Sequence, residues 1–374
     1  MALLPSLLVN FTLPVLTALQ RSPLAGFLRE SVFDYYAGYL HPQLTLKRVF
    51  ARVLAKRQQG KNTLAITLAP SAHWLGARAG QHLPLSVEIN GVRHTRYYSP
   101  CAAAGRAGEL EIAVKCSEGG LVSNWLHDQL KVGDYLEIGQ SAGDFGLPKP
   151  TSKLLLLAAG SGITPILAML RSLQLDNPGC EVVLLYYGRQ RNDMAYLIEL
   201  KDLFSRMPRW RLQVGLTAGS ATDNAFSGRF CTAHLASLAM LQNLRAWQAI
   251  ACGSYGFTNT VRQVLTDAGG VAGLQMEAFT PPVFAATADQ PVTLHYARAQ
   301  QSLVGDGAHT LLAQAEAHGL EPASGCRMGI CNTCTCKKVA GVVRDLQTGL
   351  LSAEPNESIR LCITAPVGDV TLDL

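Results

Sequence analysis

The sequence predicts a multidomain fold: an antiparallel β-barrel, then an α/β domain on a parallel sheet, then a small α+β domain. Three observations predict it. From Leu46 to Ile138, apolar residues alternate with a period of two in short runs separated by glycine-containing turns, as in an antiparallel barrel or sandwich. Lys153 then opens a continuous apolar run to Ala159, the pattern of a strand buried on both faces of a parallel sheet, and Gly160-Ser161-Gly162 follows directly. Near the end, Cys326, Cys331 and Cys334 stand at C-x4-C-x2-C within a region that again reads as short strands. These shifts divide the chain into a helical extension at 1–43, the barrel at 44–148, the α/β domain at 149–284 and the last domain at 290–374.

At 48% hydrophobic and 16% charged, each domain has the means to bury its own core. The net charge of +5 is uneven: from Ala286 onward six Lys and Arg stand against nine Asp and Glu, −3, which leaves +8 on the remainder. An acidic terminal domain on a basic body suits electrostatic docking between domains or with a partner protein, although ordinary solvated surface accounts for the same numbers. The balance is too mild for a nucleic-acid binder. Ten cysteines in a chain this long do not form a disulfide framework; Cys101, Cys116, Cys180, Cys231 and Cys252 are scattered, as in a cytoplasmic protein. Met1 to Leu19 is apolar but broken by Pro5, Asn10 and Pro14, without a basic start or an A-x-A site. That argues against a signal peptide, and against a spanning helix, which needs about 20 apolar residues. The expectation is no transmembrane segment, with peripheral membrane contact through this end left open.

In the extension, Ser22-Pro23 precedes Leu24, Phe27, Leu28, Val32, Phe33, Tyr35, Tyr36 and Tyr39, which predicts one or two amphipathic helices ended by His41-Pro42. Such an arm either packs on the body or docks a membrane-bound partner. Strands are expected around Val49–Val53 and Leu64–Leu68, then at Leu83–Ile89, Thr95–Ser99, Leu110–Lys115 and Tyr135–Ile138. Two motifs sit among them. Arg96-Tyr97-Tyr98-Ser99 reads R-x-Y-S, and Gly120 to Leu126 reads G-x-x-S-x-x-L at the start of a helix. Both resemble the flavin-binding motifs of the ferredoxin–NADP reductase superfamily. The resemblance implies that Arg96 answers a flavin phosphate, that Tyr98 packs on the flavin, and that the Ser99 hydroxyl lies beside the atom receiving hydride. Gly120 and Ser123 then place backbone N–H groups around the pyrophosphate. Gly143-Asp144-Phe145-Gly146 resembles the family's close of the barrel and reads as a structural turn.

After Pro148-Lys149-Pro150, the order of strand, glycine-rich turn and helix is what a nucleotide pyrophosphate requires. The turn, Gly160-Ser161-Gly162-Ile163-Thr164-Pro165, is not G-x-G-x-x-G; its last position is proline, which resembles the same superfamily's G-x-G-x-x-P and argues against an ordinary dinucleotide dehydrogenase. A helix is expected over Ile166–Leu173, and strands over Glu181–Tyr187, Trp210–Leu216 and Ala249–Ser254. Arg189 and Arg191 follow the second strand, where the superfamily meets the adenosine ribose, and two arginines there favour NADPH over NADH. Cys252-Gly253-Ser254 resembles the family's C-G-P with serine in place of proline. The resemblance puts Cys252 beside the nicotinamide, shaping the hydride transfer geometry rather than attacking; plain packing is the alternative for a cysteine after a buried strand.

The last domain reads as strands at Val292–Tyr296 and Ser302–Val304, a helix over Thr310–Ala317, the cysteine loop, and strands at Val339–Asp345 and Val370–Leu372. With Cys362 as fourth ligand, C-x4-C-x2-C is the spacing of a plant-type [2Fe–2S] ferredoxin, and the element order resembles a β-grasp ferredoxin. Structural zinc is the competitor, but zinc ribbons use two C-x2-C knuckles and no second one stands near Cys362. Cys336, two residues past Cys334, is the other thiol in reach; the family's geometry favours Cys334.

Together the domains resemble reductase components of oxygenases that carry a C-terminal ferredoxin. The resemblance implies hydride transfer from NADPH or NADH to FAD, then single electrons through Cys326, Cys331, Cys334 and Cys362 to an external acceptor. FAD is preferred to FMN because the G-x-x-S helix start resembles the FAD-containing members. The arm resembles those of electron-transfer partners of membrane diiron fatty-acid desaturases and hydroxylases, which makes such an enzyme the expected acceptor. A soluble ring-hydroxylating or epoxidising oxygenase is the alternative, and a redox-sensing flavin and iron–sulfur module is the reading from a different class.

Overall fold

The computed structural model describes residues 41–102, 108–149, 152–218, 225–280 and 291–374, with 33, 34, 36 and 38 ahead of them. Most of the expected N-terminal helices lies outside the described residues. The four described positions of the arm are helical, and the buried Asp34 accepts a hydrogen bond at 2.8 Å from Leu46 N at the entry to the barrel.

Strands β1 (Val49–Gln58), β2 (Thr63–Pro70), β3 (Leu83–Ile89), β4 (Val92–Tyr98), β5 (Cys101–Ala102), β6 (Leu110–Lys115) and β7 (Tyr135–Ile138) form one antiparallel sheet in the order β4-β3-β7-β1-β2-β6-β5. The period-two pattern is met: Val49, Ala51 and Val53 face the same core as Leu64, Ile66 and Leu68. Helix α1 (Leu121–Asp128) closes that core with Val122 and Leu126. No pairing joins the end strands β4 and β5 among the described residues, so the barrel is a half-barrel. Its edge β4 runs out at Ser99-Pro100, where proline has no N–H to offer a further strand.

Strands β8 (Lys153–Ala159), β9 (Glu181–Gly188), β10 (Trp210–Leu216), β11 (Phe226–Ser227), β12 (Gln248–Gly253) and β13 (Gly273–Ala278) form a parallel sheet in the order β11-β10-β9-β8-β12-β13. Leu154 to Ala158 are fully buried, as a central parallel strand demands. The chain moves outward from β8 to one side through β9 and β10, then returns to its other side at β12. The crevice between the ends of β8 and β12 is therefore the switch point where open parallel sheets take their ligands. Helices α2 (Ile163–Asp176), α3 (Leu197–Ser205), α4 (Thr232–Ala236) and α5 (Tyr255–Asp267) follow β8, β9, β11 and β12 in the chain.

The last domain is a mixed sheet of β14 (Val292–Tyr296), β15 (Gln301–Gly305), β16 (Thr335–Asp345), β17 (Leu351–Ser352), β18 (Glu357–Arg360) and β19 (Thr364–Leu372). Only β14 and β19 pair in parallel. Helix α6 (Leu311–Ala317) lies against it, capped by Thr310, whose hydroxyl accepts from Ala313 N.

By packing, the described chain forms two compact units. One joins the half-barrel to 164–178 and 191–206; the other comprises 150–163, 179–190 and the chain from 207 onward. Helices α2 and α3 thus pack with the barrel, and a buried ion network explains why. Glu111 on β6 is 5% exposed and accepts from Tyr196 Oη at 3.0 Å, Arg57 Nη2 at 3.1 Å and Arg171 at 3.4 Å. Arg171 on α2 also donates to Glu199 on α3 at 2.7 Å. A buried carboxylate is tolerated only with such partners, and these come from both helices.

Candidate functional site

In the half-barrel, the R-x-Y-S motif lies at the end of edge strand β4. Arg96 is exposed, and its Nη1 donates to Thr95 O at 2.8 Å, leaving the rest of the guanidinium fork facing outward. Tyr98 packs on the barrel core, and burial pushes its phenol up to about 12, so it stays neutral. Ser99 is buried at the strand's exit. Gly120 is the N-cap of α1 and has no side chain to cap it, and the first turn holds no acidic residue. The N–H groups that open a helix lack intrahelical partners. Without a side-chain cap they suit an anion, so α1 fits a flavin pyrophosphate. Ser123 Oγ lies 3.4 Å from Gly120 O within the same turn.

At the switch point of the parallel sheet, Gly160–Gly162 forms one turn of 3-10 helix that runs straight into α2. The helix begins at Ile163 rather than Ile166, and Pro165 sits in its first turn, where a missing N–H costs nothing. A Cβ on Gly162 would lie 2.1 Å from Cys252 O and 2.4 Å from its carbonyl carbon. Only glycine lets the two loops meet, so the glycine-rich turn after β8 and the Cys252-Gly253 end of β12 are one structure. Thr164 is buried, and its carbonyl accepts from Cys101 Sγ at 3.2 Å. Arg189 is exposed just past β9, with its carbonyl held by Ala218 N at 3.0 Å, and Arg191 opens a separate 3-10 turn, Arg191–Asp193.

Cys252 is fully buried, and burial first, then the nearby Glu277 charge, pushes its thiol well above the usual range. A thiol that stays protonated is not a nucleophile. Ser254, which stands where the resemblance has proline, is the N-cap of α5, its Oγ accepting from Phe257 N at 3.3 Å. The departure therefore replaces one helix-starting device with another.

Glu277 is the residue that sequence reasoning misses. It lies on β13 directly across from Cys252 and is 6% exposed, yet nothing in Met276-Glu277-Ala278 marks it, because only the β12–β13 register brings the two together. Burial first, and the Cys326 sulfur second, raise its carboxyl to about 7. The folded chain thus keeps a proton that the unfolded chain, with an ordinary carboxyl, gives up. That contribution to stability is complete below the unfolded value and is lost as pH rises through about 7. Between about pH 5 and about pH 8, native protein is expected to lose on the order of 3 kcal/mol relative to Glu277→Gln. Calorimetric Tm curves of the two proteins that run parallel over that range would refute it.

In the last domain, Cys326, Cys331 and Cys334 lie on the loop ahead of β16, and Cys362 on a 3-10 turn between β18 and β19. The loop curls through three residues of positive φ, Arg327, Gly329 and Asn332, which aims backbone N–H groups at sulfur. Cys326 Sγ accepts from Met328 N and Cys331 N, both at 3.3 Å, and Cys331 Sγ accepts from Cys326 N at 3.2 Å. The thiols of Cys331 and Cys362, then these amides, hold the Cys326 sulfur far below the ordinary thiol range. Cys334 lies beside Cys362, its sulfur also held low. Cys336 turns the other way, 3.7 Å from Asp373 O. The four sulfurs, three from the loop and one from the turn before β19, neighbour one another and are the thiolate set that a plant-type [2Fe–2S] cluster uses.

The comparisons with known proteins agree with this layout. Residues 51–147 match the oxidoreductase FAD-binding domain, 156–263 the oxidoreductase NAD-binding domain, and 295–367 the 2Fe-2S iron-sulfur cluster binding domain. The chain is 31% identical over 346 residues to the NADPH oxidoreductase of Mycobacterium tuberculosis, covering 91% of this chain and 88% of that one. It is 28% identical over 323 residues to the glycine betaine monooxygenase reductase subunit of Chromohalobacter salexigens, covering 79% and 87%. In fold it is similar to phthalate dioxygenase reductase, with a TM-score of 0.58 at 22% identity over 87% of this chain and 98% of that one. Among the described residues no helix is long and apolar enough to cross a membrane.

Proposed function

The chain belongs to the FAD- and NAD-binding reductases of the ferredoxin–NADP reductase family that carry a C-terminal plant-type [2Fe–2S] ferredoxin domain and serve oxygenases, and from that membership we propose how its residues divide the work and which acceptor they supply. When bound, the nicotinamide, FAD and iron–sulfur cofactors supply hydride transfer and its conversion into single electrons. Arg96 holds a flavin phosphate with its outward-facing fork, the uncapped start of α1 at Gly120 and Ser123 takes the pyrophosphate, Tyr98 flanks the ring, and Ser99 offers its hydroxyl. Gly160, Gly162, Thr164 and Pro165 form the floor under the nicotinamide nucleotide's phosphates. Cys252, held as a neutral thiol, shapes the nicotinamide end without attacking. Cys326, Cys331, Cys334 and Cys362 hold the two irons.

The order of three domains in one chain, each with its binding motif, carries this reading. NADPH is the proposed donor, because Arg189 and Arg191 both follow β9 and suit a 2′-phosphate. Arg189→Ala is expected to raise KM for NADPH and leave KM for NADH unchanged; equal effects on both would place the arginine elsewhere. The proposed acceptor is a soluble oxygenase; the name of the glycine betaine monooxygenase reductase subunit supports an oxygenase as acceptor. The membrane desaturase or hydroxylase expected from the N-terminal arm draws on residues that lie mostly outside the described ones. The holoprotein is expected to reduce cytochrome c with NADPH, and no turnover with its cofactors bound would defeat the reductase reading. Affinity capture from the native source under reducing conditions is expected to retain an oxygenase; a membrane desaturase would overturn the choice of acceptor.

A further inference from the structure

Two side chains outside the cysteine loop grip its carbonyl groups. Gln347 Nε2 donates to Met328 O at 2.8 Å, and Arg360 Nη1 donates to Gly329 O. These acceptors belong to consecutive peptide groups between Cys326 and Cys331. In a planar trans peptide, the C=O and the following N–H point in opposite directions. A donor holding Met328 O outward therefore turns the Gly329 N–H inward, and that N–H donates toward the Cys362 sulfur.

The gripping residues are themselves fixed. Asp345, the last residue of β16, accepts from Gln347 N at 2.8 Å and Thr348 N at 3.0 Å through Oδ1, and from Arg360 Nη2 at 3.4 Å through Oδ2. Leu346 N donates to Ile363 O at 2.7 Å, which ties this turn to the residue after Cys362. Gly329 leaves no room for adjustment. Its φ is +76°, and a Cβ would meet Ile363 Cδ1 at 2.7 Å and Gln347 Nε2 at 3.3 Å.

We propose that Gln347, held in place by Asp345 and flanked by Arg360, is a positioning residue that raises the reduction potential of the iron–sulfur site by polarising the loop peptide whose N–H points at the Cys362 sulfur. The proposal rests on the reading that Cys326, Cys331, Cys334 and Cys362 hold the cluster. Reduction of the site adds one electron, drawn from NAD(P)H through the flavin, and transfers no atoms. Hydrogen bonds to sulfur favour the state with the extra negative charge. Donors in series strengthen one another by roughly 10–30% per bond, and outer hydrogen-bond partners tune a metal through its ligands. Gln347 donates to the oxygen of the same peptide whose N–H meets sulfur, so it acts on the site without touching it.

The test is an EPR-monitored redox titration of the holoprotein. Gln347→Met keeps the length of the side chain and removes the donor. It is expected to shift the one-electron equilibrium about tenfold toward the oxidised form, about 59 mV, with iron and sulfide content unchanged. A potential within about twofold of the native equilibrium would overturn the proposal. If Gln347→Met fails to retain its cluster, Gln347→Glu carries the same test, since it has the same shape and no donor at neutral pH; a potential not below the native one overturns the proposal. Native protein that gives no [2Fe–2S] signal on reduction would instead defeat the ligand reading beneath it.

Discussion

Cys331→Ser is expected to bring NAD(P)H-driven cytochrome c reduction to background while ferricyanide reduction continues. The two dyes separate the domains. Ferricyanide takes electrons from the flavin, whose binding motifs lie in the half-barrel, whereas cytochrome c depends on the iron–sulfur exit. Plant-type clusters are held by four thiolates, and serine supplies a harder, more basic oxygen at the loop tip. Cys331 is also structural in a small way: its sulfur accepts from Cys326 N at 3.2 Å. That contact, and the one its thiol makes with the Cys326 sulfur, lie within the last domain, so their loss leaves the barrel and the parallel sheet to fold on their own cores, which are separate clusters. Loss of both activities would mean that the loop serves folding, and the electron path would have to be redrawn.

Glu111→Ala is expected to destabilise the protein by about 3–5 kcal/mol, the range for breaking a buried ion pair by removing one partner. The carboxylate accepts from Tyr196, Arg57 and Arg171, and its loss leaves Tyr196 Oη, which donates to it at 3.0 Å, without that acceptor in a buried site. Arg171 keeps Glu199 at 2.7 Å, which holds the effect below that of a wholly orphaned charge. Glu111→Gln retains shape and an acceptor for Tyr196, so it is expected to cost less than Glu111→Ala. Urea unfolding of the three proteins checks this, and a loss under about 1 kcal/mol for Glu111→Ala would make the network a surface-like one.

Much of the fold was legible because its signals are local. Alternation marked the barrel strands, a solid apolar run marked β8, and C-x4-C-x2-C marked the loop. Helices α3 and α5 were not marked, and the reason differs for each. Tyr196 opens α3 at a φ of +59°, a start that no cap residue announces. Helix α5 starts directly after β12, and its cap is Ser254, the serine that stands where the resemblance has proline. Short β11, β17 and β18 exist by pairing with longer neighbours, and two to four residues carry too little pattern to be seen alone.

By itself, the sequence determined the three domain types and the order in which electrons meet them, and it marked the residues expected at each cofactor, since those depend on spacing along the chain. Tertiary structure decided which distant residues serve those motifs. Cys252 and Glu277 become neighbours through the register of β12 and β13. Gly162 has its reason in the backbone of Cys252, ninety residues on. Glu111 draws helices α2 and α3 onto the barrel, although the chain assigns them to the parallel sheet. Gln347 reaches the cysteine loop only because β16 turns back beside it. The physical reason is the same in each case: hydrogen bonds and desolvation act over a few ångströms in space, and chain separation does not enter them.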